Sequence, residues 1–410
     1  MPAMKDFSAY PFAFFRILMG MYLAIHFAML IPYGPDIWGG RGMLPDPALN
    51  LTYGLLPNPL NTLDGPWAIR AFLIVLTALS LAFAAGFARR TSAALLWLGW
   101  VFLFNRNNLI SNPSIPYVGW LLLASLIVPS GEPLSIRLGS APASGGPWKM
   151  PKTLFYGAWI LLGLGYTLSG VDKLGSPSWA DGSAMRHLLE NPLARDGFLR
   201  EALLSGPPEL LRIKTWFVLA LELSFGPLCL VPALRKWVWA AMAAMHLGIL
   251  TVVSFADLTG GMLLIHAFTF DPRWFPARTK AEAGPIIFFD GVCGLCNAFI
   301  DFIMGEDRGK AYRFSPLQGA TAAERLGAIQ GDPSTVVLAD GPMIYRKSDA
   351  ALRIIAGLGG VWAAARLLLI VPKGLRDWGY DFVAANRYRW FGKKDACRMP
   401  TPEERARFLP

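Results

Sequence analysis

The stretch Ile286-Ile-Phe-Phe-Asp-Gly-Val-Cys-Gly-Leu-Cys-Asn297 decides the fold of the C-terminal part of this chain. Its first four residues are apolar and are followed by Asp290-Gly291, which predicts a short buried strand that ends in a turn. From 297 to 304, apolar residues recur at helical spacing. The two cysteines, Cys293 and Cys296, are therefore expected where a strand passes through a turn into a helix.

That position favours thiol–disulfide chemistry. The N-terminus of a helix carries partial positive charge and free N–H donors, which stabilise the thiolate that attacks a disulfide. The two intervening residues let the second thiol resolve the mixed disulfide. We expect Cys293, which is closer to the open turn, to be the nucleophile and Cys296 to be the resolving thiol. Asp290 is near enough in sequence to relay a proton or to tune the thiol.

A structural zinc site is the main alternative for two cysteines at this spacing. Such a site needs four Cys or His ligands. Residues 284–410 contain no His and one further cysteine, Cys397, so we expect no metal. Cys397 has two interpretations that stay open: a third redox thiol, or an inert small apolar side chain.

The remaining C-terminal sequence predicts a small α/β unit. Further short strands are expected at 312–315, 335–338 and 343–345, the last two forming a hairpin. A helix is expected at 349–358, with Ser348 as its cap. The apolar run 362–371 is too short to cross a bilayer, so we interpret it as a core helix or one lying on the membrane surface.

Several separated segments of this part resemble the DCC family, a thioredoxin-like group. They are FFDGVCGLCN, RFSPLQG, VVLADG and NRYRWFGKKDACRMPTPEERARF, and the resemblance spans nearly all of residues 285–410. It implies a thioredoxin-like fold and thiol–disulfide oxidoreductase activity on a protein thiol or disulfide. The Asp-Gly-x-Cys-x-x-Cys stretch gives the family its name, so the resemblance implies Asp290, Cys293 and Cys296 as site residues.

The preceding residues have the composition of a membrane domain. Hydrophobic residues make up 54% of the whole chain and charged residues 16%. Eight windows approach the roughly 20 apolar residues that cross a bilayer: 11–33, 67–86, 91–105, 115–130, 153–172, 214–232, 236–254 and 258–270. We therefore predict about eight α-helical spans in a transmembrane domain at 1–272. A linker at 273–284 and a thioredoxin-like domain at 285–410 follow.

The net charge of +10 is explained by basic residues in loops between these windows. The loops around Arg89, Lys149 and Arg235 fall on one side if the chain alternates, and the positive-inside rule makes that side cytoplasmic. The chain is thus expected in a bacterial-type inner membrane, in contact with lipid, with its C-terminal domain in the cytoplasm. Because no basic face with interleaved aromatic residues is present, we expect no nucleic-acid partner.

One segment of the membrane part, SGVDKLGSPSWADGSAM at 169–185, combines Lys173 with a Trp-x-Asp-Gly turn at the end of a span. One interpretation is a lysine that reaches the membrane surface beside an interfacial tryptophan. The other is a buried lysine whose lowered pKa lets it act as a base. Polar side chains in or near apolar windows are costly, so they are candidates for function or else pair within the helix bundle or reach the membrane surface. They are Arg16, His26, Arg70, Glu222 and His246.

This segment, together with FLFNRNNLISNPS and IHAFTFDPRW, resembles the vitamin K-dependent gamma-carboxylase and its bacterial relatives, the horizontally transferred transmembrane (HTTM) domain proteins, over about residues 10–272. The resemblance implies that Lys173 matches the base that deprotonates vitamin K hydroquinone, and it implies a quinone as cofactor. Three hypotheses follow. The chain is a membrane-anchored oxidoreductase, a carboxylase-like enzyme acting on a quinone or lipid with the Cys domain as redox partner, or a non-catalytic membrane scaffold.

Overall fold

A computed structural model of the chain describes residues 9–136, 150–275, 284–327, 335–393, 400 and 404–410. The chain divides into two compact units, Met1–Phe270 and Asp271–Pro410. The described part of the first unit is helical, and that of the second contains a four-stranded sheet with helices. Cys397, Lys149 and residues 276–283 of the expected linker lie outside the described residues.

The N-terminal unit is built from helices α1 to α12. They are α1 (Tyr10–Leu30), α2 (Gly34–Trp38), α3 (Pro66–Ala85), α4 (Arg89–Arg106), α5 (Ile115–Ile127), α6 (Lys152–Leu174), α7 (Pro177–Ala180), α8 (Ala184–Glu190), α9 (Phe198–Ser205), α10 (Pro208–Cys229), α11 (Pro232–Val252) and α12 (Ala256–Thr269). Local chemistry sets their ends. For example, α3 begins at Pro66, whose missing N–H is not needed there, and stops before Gly86, which adopts a left-handed φ of 74°.

Three of these helices, α1, α3 and α6, are long and apolar enough to cross a membrane. A helix occupies each of the eight predicted windows, but the structure supports three spans rather than about eight in the residues it describes. Helices α5 and α12 have 13 and 14 residues, short of the roughly 20 that a crossing needs. The side assigned to each loop depended on eight spans and does not follow from three.

A buried charged group joins three parts of the N-terminal unit. Oε1 of Glu132, in the loop after α5, lies 2.8 Å from Nε of Arg89 on α4 and 3.4 Å from a terminal nitrogen of Arg16 on α1. All three side chains are almost completely buried. Because an unpaired charge at such a position is strongly unfavourable, this group fixes α1 and α4 against that loop.

The C-terminal unit is organised around a mixed sheet with strand order β2-β1-β3-β4. The strands are β1 (Ile286–Phe289), β2 (Arg313–Pro316), β3 (Val337–Asp340) and β4 (Met343–Arg346). β1 pairs in parallel with β2 and antiparallel with β3, and β3 forms a hairpin with β4. The helices are α13 (Gly294–Glu306), α14 (Ala320–Leu326), α15 (Lys347–Gly357) and α16 (Lys373–Phe391).

The central position of β1 explains its uniformly apolar sequence. All four of its residues are buried. Ile287 and Phe289 belong to a cluster that includes residues of α13 and α15, whereas Ile286 and Phe288 pack with residues of α14 on the other face. Side chains alternate across a strand, so apolar residues are required at every position when both faces are covered. This central strand leads directly to the cysteine pair.

One expectation for this unit was wrong, and one of two alternatives for another segment is excluded. Ser348 does not cap a helix, because β4 runs directly into α15, and its hydroxyl instead donates a hydrogen bond to Asp377 of α16. The apolar run at 362–371 is not a core helix, since it forms a 3₁₀ helix, Gly360–Ile370, that buries none of its residues, and the alternative of a helix on the membrane surface stays a prediction. Helices α14 and α16 were not predicted.

Candidate functional site

Cys293 and Cys296 lie at the point where the chain passes from β1 into α13. Cys293 directly precedes Gly294, the first residue of α13, and Cys296 lies within the first turn of that helix. The side-chain amide of Asn297 donates hydrogen bonds of 2.9 Å to the carbonyl oxygens of Gly291 and Cys293. These bonds hold the turn that carries the first cysteine against the helix.

The relative exposure of the two thiols is the reverse of the prediction. Cys293 is fully buried, whereas Cys296 is partly exposed. The chain that leaves α16 at residues 391–393, here named the covering segment, lies against the start of α13. The N–H of Gly294 donates to the carbonyl oxygen of Gly392 at 3.1 Å, and Lys393 forms an antiparallel bridge with Cys293. A segment distant in sequence thus covers the cysteine that the local pattern placed in an open turn.

The Cys296 thiol has an altered acidity. The pKa of Cys296 is raised from 9.0 to about 12, chiefly by burial and then by the adjacent Cys293, against a smaller lowering by the backbone of Asp290. Both cysteines are free thiols. Cys296 is therefore protonated at neutral pH, and it needs a base before it can act as a nucleophile.

Asp290 lies beside the pair with its carboxylate almost completely buried. Its Oδ2 accepts a hydrogen bond of 2.5 Å from the hydroxyl of Tyr388 and lies 3.6 Å from a guanidinium nitrogen of Arg387. Its Oδ1 accepts from the N–H of Val292 at 3.2 Å and from the side-chain amide of Gln318 at 3.3 Å. Donors therefore surround this carboxylate, as burial of such a group requires.

Arg387 and Tyr388 were not identified from the sequence as site residues. Both lie near the end of α16, and 98 positions separate Tyr388 from its partner Asp290. The segment that contains them, NRYRWFGKK, contributed to the family resemblance, which was the only available signal. An Arg-Tyr pair in a helix has no distinctive spacing, so its role emerges only when the fold brings it to the carboxylate.

Lys173 lies in the other compact unit, near the end of α6, where it borders a cavity of about 670 Å³. Its Nζ lies 2.5 Å from Oε2 of Glu222 on α10 and donates a hydrogen bond of 2.7 Å to the hydroxyl of Ser169. The same Nζ lies 5.1 Å from the ring centroid of Trp179. The lysine that the sequence singled out thus has an anionic partner and borders a cavity.

A second polar group adjoins this cavity. The hydroxyl of Tyr166 lies 2.8 Å from Nε2 of His246 and 2.9 Å from Nε2 of His266, and all three residues are buried. The sequence singled out His246 but neither of the other two. These side chains come from α6, α11 and α12, and only the packing of the three helices brings them together.

The structure thus brings Cys293, Cys296 and Asp290 together in one unit and leaves Lys173 in the other. Within the described residues, no group of three or more His, Cys, Asp or Glu side chains is arranged to hold a metal ion. The arrangement at the cysteine pair offers one buried thiol, one partly exposed protonated thiol and one buried carboxylate. The two adjacent thiols are the groups that a dithiol exchange reaction requires.

Comparisons with known proteins match the C-terminal unit. Residues 287–393 match the family described as DCC1-like thiol-disulfide oxidoreductase. An uncharacterized protein of Bacillus subtilis (strain 168), YuxK, is 42% identical over 129 residues, which are 30% of this chain and 93% of that protein. A chloroplastic DCC family protein of Arabidopsis thaliana is 38% identical over 124 residues, 29% of this chain and 72% of that protein. No solved structure gives a significant match.

Proposed function

We propose that this chain, which belongs to the DCC1-like thiol-disulfide oxidoreductase family, is a membrane-anchored oxidoreductase that works through Cys293 and Cys296. The observation that carries the proposal is the position of the pair between a central strand and the first turn of a helix, beside a buried carboxylate. The β1–α13–β2 unit, with its parallel strands, is the context in which a C-x-x-C pair indicates a thioredoxin-like redox site.

The proposed reaction transfers two electrons between the cysteine pair and a disulfide of a substrate protein. The Cys293 thiolate attacks one substrate sulfur, the substrate S–S bond breaks, and the other sulfur leaves and takes up a proton. Cys296 then loses its proton and attacks the sulfur of Cys293, so that the enzyme disulfide forms and the second substrate thiol is released. The substrate is reduced and the pair oxidised, and the reverse sequence oxidises a dithiol.

Asp290 is the group that we propose as acceptor of the Cys296 proton. A pKa of about 12 leaves this thiol protonated at neutral pH, and the Asp290 carboxylate is close enough to raise that pKa by its charge. Substrate must also reach Cys293, which is fully buried. The covering segment therefore has to move during the proposed reaction.

Trapping of mixed disulfides tests the assignment of the two cysteines. A Cys296→Ser protein, in its native membranes, should accumulate mixed disulfides that dithiothreitol releases, because nothing resolves them. Cys293→Ser should trap none, and Cys229→Ser, which alters the buried cysteine of α10, should behave as wild type. Trapping that is independent of Cys293, or a wild-type pair that never oxidises reversibly, would overturn the proposal. A pair that oxidises without turnover would favour the scaffold hypothesis.

We propose further that the apolar helices anchor the chain in a bacterial-type inner membrane with the C-terminal unit in the cytoplasm. Three helices of sufficient length and hydropathy support the membrane anchor, whereas the side of the membrane is a proposal for experiment to decide. A Glu324→Cys protein, altered at an exposed position of α14, should react with a membrane-impermeant maleimide only after cells are opened. Labelling of intact cells would place the unit on the other side.

The cavity beside Lys173 favours a second candidate function, a carboxylase-like reaction on a quinone or lipid, with the cysteine unit as redox partner. The volume of about 670 Å³ is typical of small-molecule sites, and the lining is mainly apolar with Lys173, Glu222, Tyr166 and His246 as polar groups. These residues fit an apolar ring that carries ionisable oxygens, as a hydroquinone does. Lys173 would act as the base that removes a proton from it, after passing its own proton to Glu222, whose Oε2 lies 2.5 Å from its Nζ.

Binding of a quinone tests this second candidate. Titration of the purified full chain with 1,4-naphthoquinone, followed by tryptophan fluorescence, should show binding. Lys173→Ala should weaken this binding about tenfold, because one contact with a charged group is lost. Lys214→Ala is the matched control, because Lys214 borders the same cavity. Undiminished binding by Lys173→Ala would rule out this role. Retained oxidation of the Cys pair in that variant would show that the C-terminal unit is intact.

A further inference from the structure

The end of α16 reaches the carboxylate beside the cysteine pair. Asp290 is 2% exposed, and Arg387, near the end of α16, is 7% exposed. We propose that Tyr388 and Arg387 are positioning residues that hold the Asp290 carboxylate charged and oriented to take the proton of Cys296. This inference rests on the proposed oxidoreductase function and adds two residues to its machinery.

The hydrogen bonds in this group run in one direction. A guanidinium N–H of Arg387 donates to the hydroxyl of Tyr388 at 3.0 Å, and that hydroxyl donates to Oδ2 of Asp290 at 2.5 Å. The guanidinium also lies 4.2 Å from the centroid of the Tyr388 ring. Because a hydroxyl that accepts a hydrogen bond is a stronger donor, Arg387 strengthens the bond from Tyr388 to the carboxylate.

Arg387 is itself fixed in place. Its other terminal nitrogen donates to the carbonyl oxygen of Ala384 at 2.7 Å. Burial and the adjacent Asp290 raise the pKa of Tyr388, so its hydroxyl keeps the proton that it donates. The two side chains therefore present a fixed donor and a fixed positive charge to one oxygen of the carboxylate.

The titratable groups around Asp290 come from two parts of the unit. Within the described residues, α13 and the turn before it contribute Cys293 and Cys296, while α16 and the covering segment contribute Arg387, Tyr388 and Lys393. The cationic groups and the Tyr388 hydroxyl thus lie on the α16 side and the thiols on the α13 side, while Val292 and Gln318 donate to the other carboxylate oxygen. This asymmetry stabilises negative charge on the carboxylate until the proton arrives from Cys296.

The proton balance of the step is simple. The proton passes from the Cys296 thiol to Asp290, the new Cys293–Cys296 bond forms, and the departing substrate thiolate takes the proton from Asp290. A hydrogen bond donated to a charged carboxylate favours the charged form. Loss of that bond removes a contact that stabilises the charged carboxylate, so the acidic limb of the resolution rate should move to higher pH.

The pH dependence of resolution in the full-length protein tests the proposal. With 5,5′-dithiobis(2-nitrobenzoate), attack by Cys293 releases one thionitrobenzoate and resolution by Cys296 releases a second. In Tyr388→Phe the acidic limb of this second release should move up by about one pH unit, or about tenfold in rate on that limb. Tyr312→Phe is the matched control. It loses a buried hydrogen bond of 3.0 Å to the carbonyl oxygen of Ile354 and should leave the limb in place.

Arg387 provides an independent variant. Arg387→Met should move the limb in the same direction, and Arg387→Lys should restore part of the shift because it keeps the positive charge. If Tyr388→Phe does not fold, these two variants decide the question. The positioning role would be overturned if the acidic limb of the second release stays in place in the folded variants, or if it moves equally in Tyr312→Phe. Absence of the second release in wild type would instead overturn the proposed function.

Discussion

The two compact units both bury ionisable groups, but they do so in different surroundings. In the C-terminal unit, Cys293 lies under the backbone of the covering segment, with Asp290 held by donors from α16. In the N-terminal unit, Lys173 and Glu222 form an ion pair that borders a cavity of about 670 Å³. We propose that the first arrangement serves reaction with a sulfur of another protein and the second serves binding of a small apolar molecule. The residues around a buried charged group therefore indicate its chemistry better than the extent of its burial.

The largest predicted effect that would sharpen this comparison is on the reactivity of the Cys296 thiol. A pKa of about 12 instead of 9.0 lowers its thiolate fraction at pH 8 by roughly three orders of magnitude. The greater nucleophilicity of a more basic thiolate offsets part of this, so we expect alkylation roughly 50-fold slower than in the unfolded protein. Iodoacetamide labelling of the reduced full chain, with tandem mass spectrometry to locate the label, measures it.

Because the pKa of Cys296 is raised, the neutral thiol persists as pH increases and reactivity should climb about tenfold per unit through pH 10. Protein unfolded in urea is the control, since its thiols have ordinary acidity. Equal labelling of folded and unfolded protein at pH 8 would show that the packed surroundings of the C-terminal pair do not control its chemistry.

The next effect concerns the ion pair of the N-terminal unit. Glu222→Gln keeps the size of the side chain but leaves the Lys173 charge without a counter-charge, which we expect to cost about 2 kcal/mol of unfolding free energy. The pair Arg186–Glu190 in the same unit is exposed, so Glu190→Gln should cost under about 0.5 kcal/mol. Denaturation of the full chain in detergent, followed by tryptophan fluorescence, compares the two variants.

The double variant Lys173→Met with Glu222→Gln should recover most of that loss, because it removes the uncompensated charge. Equal stability of the Glu222→Gln and Glu190→Gln proteins would mean that the Lys173 pair contributes no more than a surface pair. The contrast between the two units would then lose its energetic basis.

The smallest effect concerns the covering segment. A Cβ at position 294 would clash with the carbonyl oxygen of Phe391, so Gly294→Ala should displace the segment and expose Cys293. We expect iodoacetamide to label Cys293 about tenfold faster than in wild type. A modest decrease in the free energy of local opening gives an increase of this size. Gly374→Ala, in α16 with open space around it, is the control and should leave labelling unchanged. Unchanged labelling in Gly294→Ala would mean that the segment shifts without uncovering the thiol.

Local sequence patterns predicted most of the C-terminal unit. The apolar run Ile286–Phe289 is a buried strand, and the hairpin forms from β3 and β4 within two residues of the expected places. The helix after the cysteines was also expected, although it begins at Gly294 rather than at 297. Each of these features depends on a few adjacent residues, whose spacing and turn chemistry are visible in the sequence.

Contacts between distant residues were beyond those patterns. Arg387 and Tyr388 reach Asp290 from a helix that was not predicted, and the covering segment reversed the expected exposure of the two cysteines. The number of spans was overestimated because an apolar window also arises in a helix buried against its neighbours. Helix α12 is an example. It has only 14 residues, and its apolar residues Met262 and Ile265 are buried.

The covering segment has a consequence for the order of synthesis. Lys393, which pairs with Cys293, follows it by one hundred positions in the chain. A ribosome that adds about 5–20 residues per second needs roughly 5–20 s to make that stretch. During this interval the nascent chain carries both cysteines before their cover exists. The Cys293 thiol of a newly made molecule is therefore open to oxidants and to incorrect partners, and it is protected once the end of α16 has been made and has folded.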